Sequence, residues 1–418
     1  MADSGTGALE VGETLEVSVR AMAHGGEGIA DAPDGRVVFV RGAIPGDRVE
    51  ARPTKVKKRW ARADLVEVLE PSPQRTRQVC QAAAHGAGCC DFGFVTAPAQ
   101  RELKREVLVG QLRTLAKRSG VLDGFQADSD LQETALAPDH GWRTRARLGV
   151  DSEGRAGLRK LRSTELVTEF PCAQMVPGLL DGLVGPGGRR FTPGAEVIAV
   201  IDSTGARHVV ETAKVQRGRR VETIDTVIEG TGMVTERVDD REFTFPATAF
   251  WQAHTAAPQA YADIVAQWGE AANAPGAVGW DLYGGVGMFA PAISRALGGG
   301  RVETVDYSPA ATGTPQPGLA DLDVRVRNAR VEVSVDKLPS PALVVLDPPR
   351  SGAGAEVVGA VAQAAPPRVI HIGCDPATLA RDLGTWGEHG YRVERMMLID
   401  AFPLTHHFET VVLLTPRA

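Results

Sequence analysis

The 418-residue chain has no apolar run near the roughly 18–20 residues that a membrane span requires. Its first residues, MADSGTGALEVGETLE, lack the basic start and apolar stretch of a secretory signal, so a cytoplasmic, membrane-free protein is expected. No Gly-Lys-Ser/Thr occurs, which excludes a phosphate-cradling P-loop. Basic charge is not in excess: 46 Lys and Arg stand against 52 Asp and Glu, for a net charge of −6. Cysteine is scarce and odd in number, with five residues at Cys80, Cys89, Cys90, Cys172 and Cys374. Such a set points to a reactive thiol or a metal site rather than a disulfide framework.

What is present supports a globular protein of two or three domains, with 43% apolar and 23% charged residues. Acidity overall does not exclude a nucleic-acid partner, because phosphate binding follows local potential. The stretch Arg48 to Arg62 carries Arg48, Arg52, Lys55, Lys57, Lys58, Arg59 and Arg62 against one acid, Glu50. Smaller groups lie at Arg143, Arg145, Arg147 and at Lys214, Arg217, Arg219, Arg220. Any one group reads equally as a solvated face; three in an acidic chain point to RNA.

Three regions follow one another. Between residues 12 and 71, short β-rich runs separated by HGGEG, APDG and IPGD predict four or five strands, a small barrel of the oligonucleotide-binding type. PSPQRTRQ reads as a linker. Residues 76–240 predict an α+β middle domain, with a helix over AQRELKREVLVGQLRTLAKRSG and strands at WRTRARLGVD, GLRKLRSTELV, VIAVIDS, ARHVVETAKVQ and around Val227. Residues 241–418 alternate strand and helix patterns, as in a parallel sheet flanked by helices. Asp281, Asp306, Asp347 and Cys374 all fall near expected strand ends, where such sheets bind ligands.

Asp281-Leu-Tyr-Gly-Gly-Val-Gly287 places an acid before a glycine turn into a helix, suited to a nucleoside cofactor or simply to a tight turn. Asp306, at the next strand end, is placed to accept ribose hydroxyls; its alternative is a helix cap before Ser308-Pro309. With no P-loop, an adenosyl group fits better than a triphosphate. Asp347-Pro348-Pro349-Arg350 holds an acid at the sheet edge between a buried run and two prolines. Cys374, in HIGCDPATLARD, projects from a strand-to-helix turn capped by Asp375, where a helix N-terminus is expected to lower a thiol pKa. A buried structural cysteine is the alternative.

DLYGGVG, LDPPRSGAG, GCDPATLARD and FPLTHHFETVVLL together resemble the RNA (uracil-5-)-methyltransferases of bacterial transfer and 23S ribosomal RNA. The glycine-rich opening, FVRGAIPGD and the basic tail of the first region resemble the TRAM domain, an RNA-binding module. The resemblance spans nearly the whole chain. It implies an OB-like TRAM barrel at 8–72, the α+β middle domain at 76–240 and a class I (Rossmann-like) S-adenosylmethionine-dependent domain at 241–418. It further implies Cys374 as nucleophile at carbon 6 and Glu409 as the base that removes the carbon-5 proton. Gln252, Asp281, Tyr283, Gly285, Asp306 and Asp347 would contact or frame the cofactor, and Phe250 and Arg350 the target base. For Phe250 and Trp251 core packing is the alternative. Methylation of an exocyclic amine, another use of a DPP motif, is disfavoured because Arg350 stands where an aromatic residue would stack the base.

Many members of this family carry a [4Fe-4S] cluster on four cysteines. Cys80, Cys90 and Cys172 align with that pattern. Ala87 stands where the second ligand is expected, and Cys89 is displaced beside Cys90, so a cluster and a degenerate remnant both stand open. Phe92-Gly93-Phe94 and His254 also depart from the family's usual residues. The rival readings are a DNA cytosine-5 methyltransferase, disfavoured because no Pro-Cys lies in residues 241–418, and a non-catalytic RNA-binding protein retaining the fold. Ribosomal RNA is slightly favoured over transfer RNA, and a monomer is expected.

Overall fold

The computed structural model describes residues 9–116, 119–218 and 220–417. Ala8 of the expected barrel region, Lys117 and Arg118 of the helical stretch, Arg219 of the third basic group and the terminal Ala418 lie outside the described residues.

Strands β1 (Leu15–Met22), β2 (Glu27–Asp31), β3 (Val37–Arg41), β4 (Arg48–Val56) and β5 (Trp60–Glu70) close a barrel in the order β1-β2-β3-β5-β4. Alternation drives the closure. Val17, Val19, Val38, Val40, Val49, Ala51 and Ala63 point inward and are buried, while their neighbours stay wet. Of the first basic group, Arg48 is paired with Glu16 and Glu70 and Arg62 with Glu27. Lys57, Lys58 and Arg59 stand exposed at the β4–β5 turn with no acidic partner among the described residues.

Helices α1 (Gln81–Ala84) and α2 (Ala97–Gln111) follow, the latter running into a wider turn at Leu112–Ala116. The next strand, β6 (Gln132–Ala135), departs from the expected boundary. It pairs in parallel with a strand near the C-terminus, Gln132 opposite Met397, and so belongs to the C-terminal sheet. Four mostly exposed residues at a sheet edge carry no hydrophobic pattern, which is why the sequence hid it.

The middle sheet is antiparallel, in the order β12-β11-β10-β7-β8-β9, from β7 (Arg145–Val150), β8 (Ala156–Arg159), β9 (Leu166–Val167), β10 (Glu196–Ile201), β11 (Arg207–Arg217) and β12 (Arg220–Glu229). The hairpin β13 (Met233–Val238) and β14 (Arg241–Pro246) then bridges the expected 240/241 boundary, Val238 facing Arg241.

The C-terminal region builds an eight-stranded sheet around β15 (Val278–Leu282), β16 (Arg301–Asp306), β17 (Val324–Asn328), β18 (Leu343–Leu346), β19 (Val369–Gly373), β20 (Tyr391–Asp400) and β21 (Glu409–Pro416). Its order is β17-β16-β15-β18-β19-β21-β20-β6; β15 to β19 run parallel, and β21 inserts antiparallel between β19 and β20. Helices α3 (Ala257–Gly269), α4 (Ala290–Ala296), α5 (Pro309–Thr312), α6 (Gly354–Gln363) and α7 (Pro376–Glu388) accompany it. Buried side chains pack on both faces, so β18 and β19 are buried throughout rather than alternating, His371 being the one polar residue between them. The chain reverses its direction of strand addition between β15 and β18. That is the switch point where such sheets open a ligand crevice. Among the described residues no helix is long and apolar enough to cross a membrane.

Candidate active site

At that switch point lies a cleft of about 890 Å³. Tyr283, Gly285 and Asp306 line one end; Asp347, Arg350, Cys374 and Glu409 line its floor.

The glycine turn after β15 is shaped by its own buried acid. Asp281 lies in the strand, fully buried, and does not line the cleft; Thr304 Oγ1 approaches its Oδ2 at 3.4 Å and Oδ1 has no partner. A Cβ on Gly284 would sit 2.4 Å from Asp281 Oδ2, so this glycine is required by the carboxyl group behind it. Tyr283 takes a positive φ of 62°, a strained turn conformation for a non-glycine residue. Asp306 ties the turn to the next loop: its Oδ2 accepts from Gly285 N at 3.0 Å and its Oδ1 from Ser308 N at 2.6 Å. The alternative role of helix cap does not hold, because Ser308 is the N-cap of α5 and Asp306 instead accepts from its amide, while Asp306 lines the cleft.

On the floor, the Gln252 amide donates to Asp347 Oδ2 at 3.3 Å. Burial pushes the Asp347 carboxyl up to about 7, against that hydrogen bond. Glu409 begins β21 and is buried, with Oε2 lacking a partner. Its carboxyl is held well above the usual range by burial and by Asp347, opposed by Arg350. Two buried carboxyl groups in one site resist joint ionisation.

Cys374 ends the turn from β19 into α7, whose N-cap is Asp375, accepting from Ala377 N and Thr378 N at 3.0 and 2.9 Å. The helix-start geometry is as expected, but the expected fall in thiol pKa is not. Burial, then Glu409 and Asp347, push the Cys374 thiol up to about 12, and Arg350 only partly opposes them. Desolvation outweighs a helix terminus here.

The loop carrying Glu409 is pinned from the middle region. Buried Lys104 on α2 donates to Asp400 Oδ1 at 2.6 Å and to the Phe402 carbonyl at 3.1 Å. Leu404, at a φ of 68°, is held by Gln100, and His406 by Asp91. Burial and the neighbouring His406 keep His407 neutral, its pKa pulled down to about 3.

Phe250 is 73% exposed and lines the cleft, whereas Trp251 is buried against Phe243 and Phe245. Core packing thus accounts for Trp251 and not for Phe250. His254 stacks on Trp142 and accepts from Ala256 N, a core position away from the cleft. In the second basic group Arg145 is tied to Glu236 and the Ala249 carbonyl, Arg147 is exposed and paired with Glu196, and Arg143 and Arg147 line the cleft. Cys80, Cys89, Cys90 and Cys172 do come together, and Cys89 reaches the cleft wall.

Comparison with known proteins decides the family. A TRAM-domain profile matches residues 8–66 and a tRNA (Uracil-5-)-methyltransferase profile residues 327–417. An uncharacterized RNA methyltransferase of Corynebacterium glutamicum is 50% identical over 408 residues, covering 96% of this chain and 97% of that protein. The 23S rRNA (uracil(1939)-C(5))-methyltransferase RlmD of Halomonas elongata is 31% identical, covering 96% of this chain and 89% of its own. The chain belongs to the RNA (uracil-5-)-methyltransferase family. It is thus an S-adenosylmethionine-dependent RNA methyltransferase with an N-terminal TRAM domain. The Pyrococcus abyssi tRNA (uracil-54, C5)-methyltransferase, solved with S-adenosyl-L-homocysteine, shares the fold at a TM-score of 0.69 and 19% identity, over 96% of this chain and 100% of that one.

Several residues of this methyltransferase escaped the sequence reading. Tyr307, directly after Asp306, is 62% exposed in the cleft with Arg330 5.3 Å from its ring; its position beside a strand-end acid was the available signal. Tyr261 is buried with its hydroxyl unpartnered, under the influence of Glu409, Asp347 and Cys374. His24 of the TRAM barrel reaches Asp375, which nothing local in HGGEG announces.

Proposed function

We propose that this enzyme transfers a methyl group from S-adenosylmethionine to carbon 5 of an unpaired uridine, with Cys374 as covalent nucleophile and Glu409 as general base. The observation that carries the reading is the placement of Cys374, Glu409 and Asp347 on the floor of the cleft whose far end is the Tyr283–Gly285 turn and Asp306. The cofactor's ribose hydroxyls are assigned to Asp306, its adenine face to Tyr307, and its sulfonium to the floor beside Asp347 and Gln252. Phe250 offers an exposed ring on which a base turned out of its stack can lie.

Carbon 5 of uracil is too weakly nucleophilic to attack a methyl sulfonium unaided. Addition of the Cys374 thiolate at carbon 6 forms a carbon–sulfur bond and an enolate whose carbon 5 takes the methyl group. The cofactor leaves as neutral S-adenosylhomocysteine. Glu409, as carboxylate, then takes the carbon-5 proton, contributing roughly 10²–10⁴-fold as a positioned base. Elimination of the thiolate restores the ring. Burial pushes the Cys374 thiol up to about 12 and, with Asp347, raises the Glu409 carboxyl well above its usual range, which favours the protonated forms. The positive sulfonium, with Arg350, is the charge that favours their ionised forms on binding.

The substrate is assigned as 23S ribosomal RNA, following the relative from Halomonas elongata, with transfer RNA as the competing substrate. The barrel's Lys57, Lys58 and Arg59 and the cleft's Arg143 and Arg147 are the cations offered to phosphates. The test is incubation with tritiated S-adenosylmethionine and unmodified RNA, fractionated into ribosomal and transfer pools, beside Cys374→Ala, followed by digestion to nucleosides. Label in 5-methyluridine from the wild type alone is expected. Label in another nucleoside, or in uridine with the mutant, sinks the assignment.

A further inference from the structure

The four cysteines outside the catalytic floor come from α1 with the turn after it and from the segment before the Met175 turn. Their sulfurs all lie within 4.8 Å of one another. Cys80 Sγ is 3.7 Å from Cys89 Sγ, and Cys90 Sγ is 3.5 Å from Cys172 Sγ. A four-iron cluster puts each thiolate on a different iron at a different corner, which spreads the sulfurs further than ligation of a shared ion does. Four thiolates on one tetrahedral zinc, with bonds near 2.3 Å, are separated by about 3.8 Å. Both observed pairs lie just under that value and no separation exceeds 4.8 Å, so the residues present fit one ion and do not fit a [4Fe-4S] cluster. Ala87, where a second cluster ligand was expected, is buried and its backbone pairs with Lys160; the fourth sulfur comes instead from Cys89, adjacent to Cys90.

We propose that Cys80, Cys89, Cys90 and Cys172 hold a single tetrahedral zinc ion. One feature of the surroundings favours ionised thiolates there: Ala173 N donates to Cys80 Sγ at 3.5 Å, a backbone contact of the kind that supports metal-bound sulfur. The ion ties residues 80–90 to the Cys172–Gln174 segment, and Gln174 in turn donates to the Cys89 carbonyl. Cys89, Gln174 and Arg143 all line the substrate cleft. Zinc has no redox chemistry, so the site is a staple for that wall and not an electron carrier.

The test uses the full chain, purified without air from iron-replete cells, and needs no assay of methylation. Elemental analysis is expected to give about one zinc per chain, with no acid-labile sulfide and no visible absorption. Exchange with Co²⁺ is expected to give the visible d–d bands of a tetrahedral four-sulfur site, and Cys172→Ser to lower the zinc content. Iron and labile sulfide at about four each per chain overturns the proposal, as does a metal-free folded protein. Either result leaves the assignment of Cys374 and Glu409 untouched.

Discussion

His24 Nε2 of the barrel lies 3.1 Å from Asp375 Oδ2, the residue that follows Cys374 and caps α7. The β1–β2 loop also packs on the Glu409 loop, for a Cβ on Gly26 would meet His406 Cβ at 3.0 Å. The barrel thus touches both chain segments that carry the proposed chemistry. Asp375→Ala removes the cap and the His24 contact together, and a loss of about 0.5–2 kcal/mol is expected from the cap alone in denaturant unfolding. His24→Ala leaves the cap and costs less. The His24 contact and the cap hydrogen bonds outweigh desolvation and hold the Asp375 carboxyl at about 2, below its ordinary 3.8. Its contribution is therefore present above pH 4 and lost as pH falls through 2. An Asp375→Asn protein losing stability in parallel with the wild type between pH 5 and 2 contradicts this.

Glu409→Gln keeps the shape of the base but cannot take the carbon-5 proton. Addition and methyl transfer then proceed and elimination stops, so methylated RNA is expected to stay bound to the protein through a denaturing gel. Turnover falls by at least 10²-fold. Free 5-methyluridine at near wild-type rates points to a different base. Cys374→Ala gives no bound RNA.

The thiol of Cys374, held at about 12, makes the free enzyme slow to react with iodoacetamide at neutral pH, and its rate rises with pH through the alkaline range. A cofactor analogue bearing a positive charge at the sulfonium position is expected to speed this modification. S-adenosylhomocysteine, of similar bulk and neutral at sulfur, is the control. Equal rates with the two ligands remove the sulfonium's role in forming the thiolate.

Gly284→Ala drives a methyl group into the Asp281 carboxyl and Thr304 Cγ2, at 2.4 and 2.7 Å. Overpacking of this kind costs typically about 1–3 kcal/mol, and weaker cofactor binding is expected with it, read by calorimetry. Asp281 itself is raised to about 8, chiefly by burial. The folded state keeps its proton longer than the unfolded chain, so stability declines as pH rises from about 4 through 8. Asp281→Asn is expected to flatten that decline. Unfolding curves of the two proteins that stay parallel from pH 5 to 9 count against it.

Much of this was readable from residue order alone. Inward valines at alternate positions announce the barrel, and the largely apolar runs of β18 and β19 announce a doubly covered sheet followed by Asp347 and Cys374. The motifs around Cys374 and Glu409 lie within single strand-to-helix or strand-to-strand turns, where local pattern and location coincide. What escaped depends on distance along the chain. β6 has no pattern of its own, and the His24–Asp375 and Lys104–Asp400 pairs join segments hundreds of residues apart. The thiol's pKa was misjudged for the same reason. The helix start is local, but the burial and the two carboxyl groups that overrule it come from the folded whole.

The edge strand β6 takes its partner from far along the chain, Gln132 lying opposite Met397 of β20. The whole middle sheet is thus threaded, in chain order, between the two partners of this edge pair. A backbone cut within the middle sheet therefore separates β6 from the strand it borders.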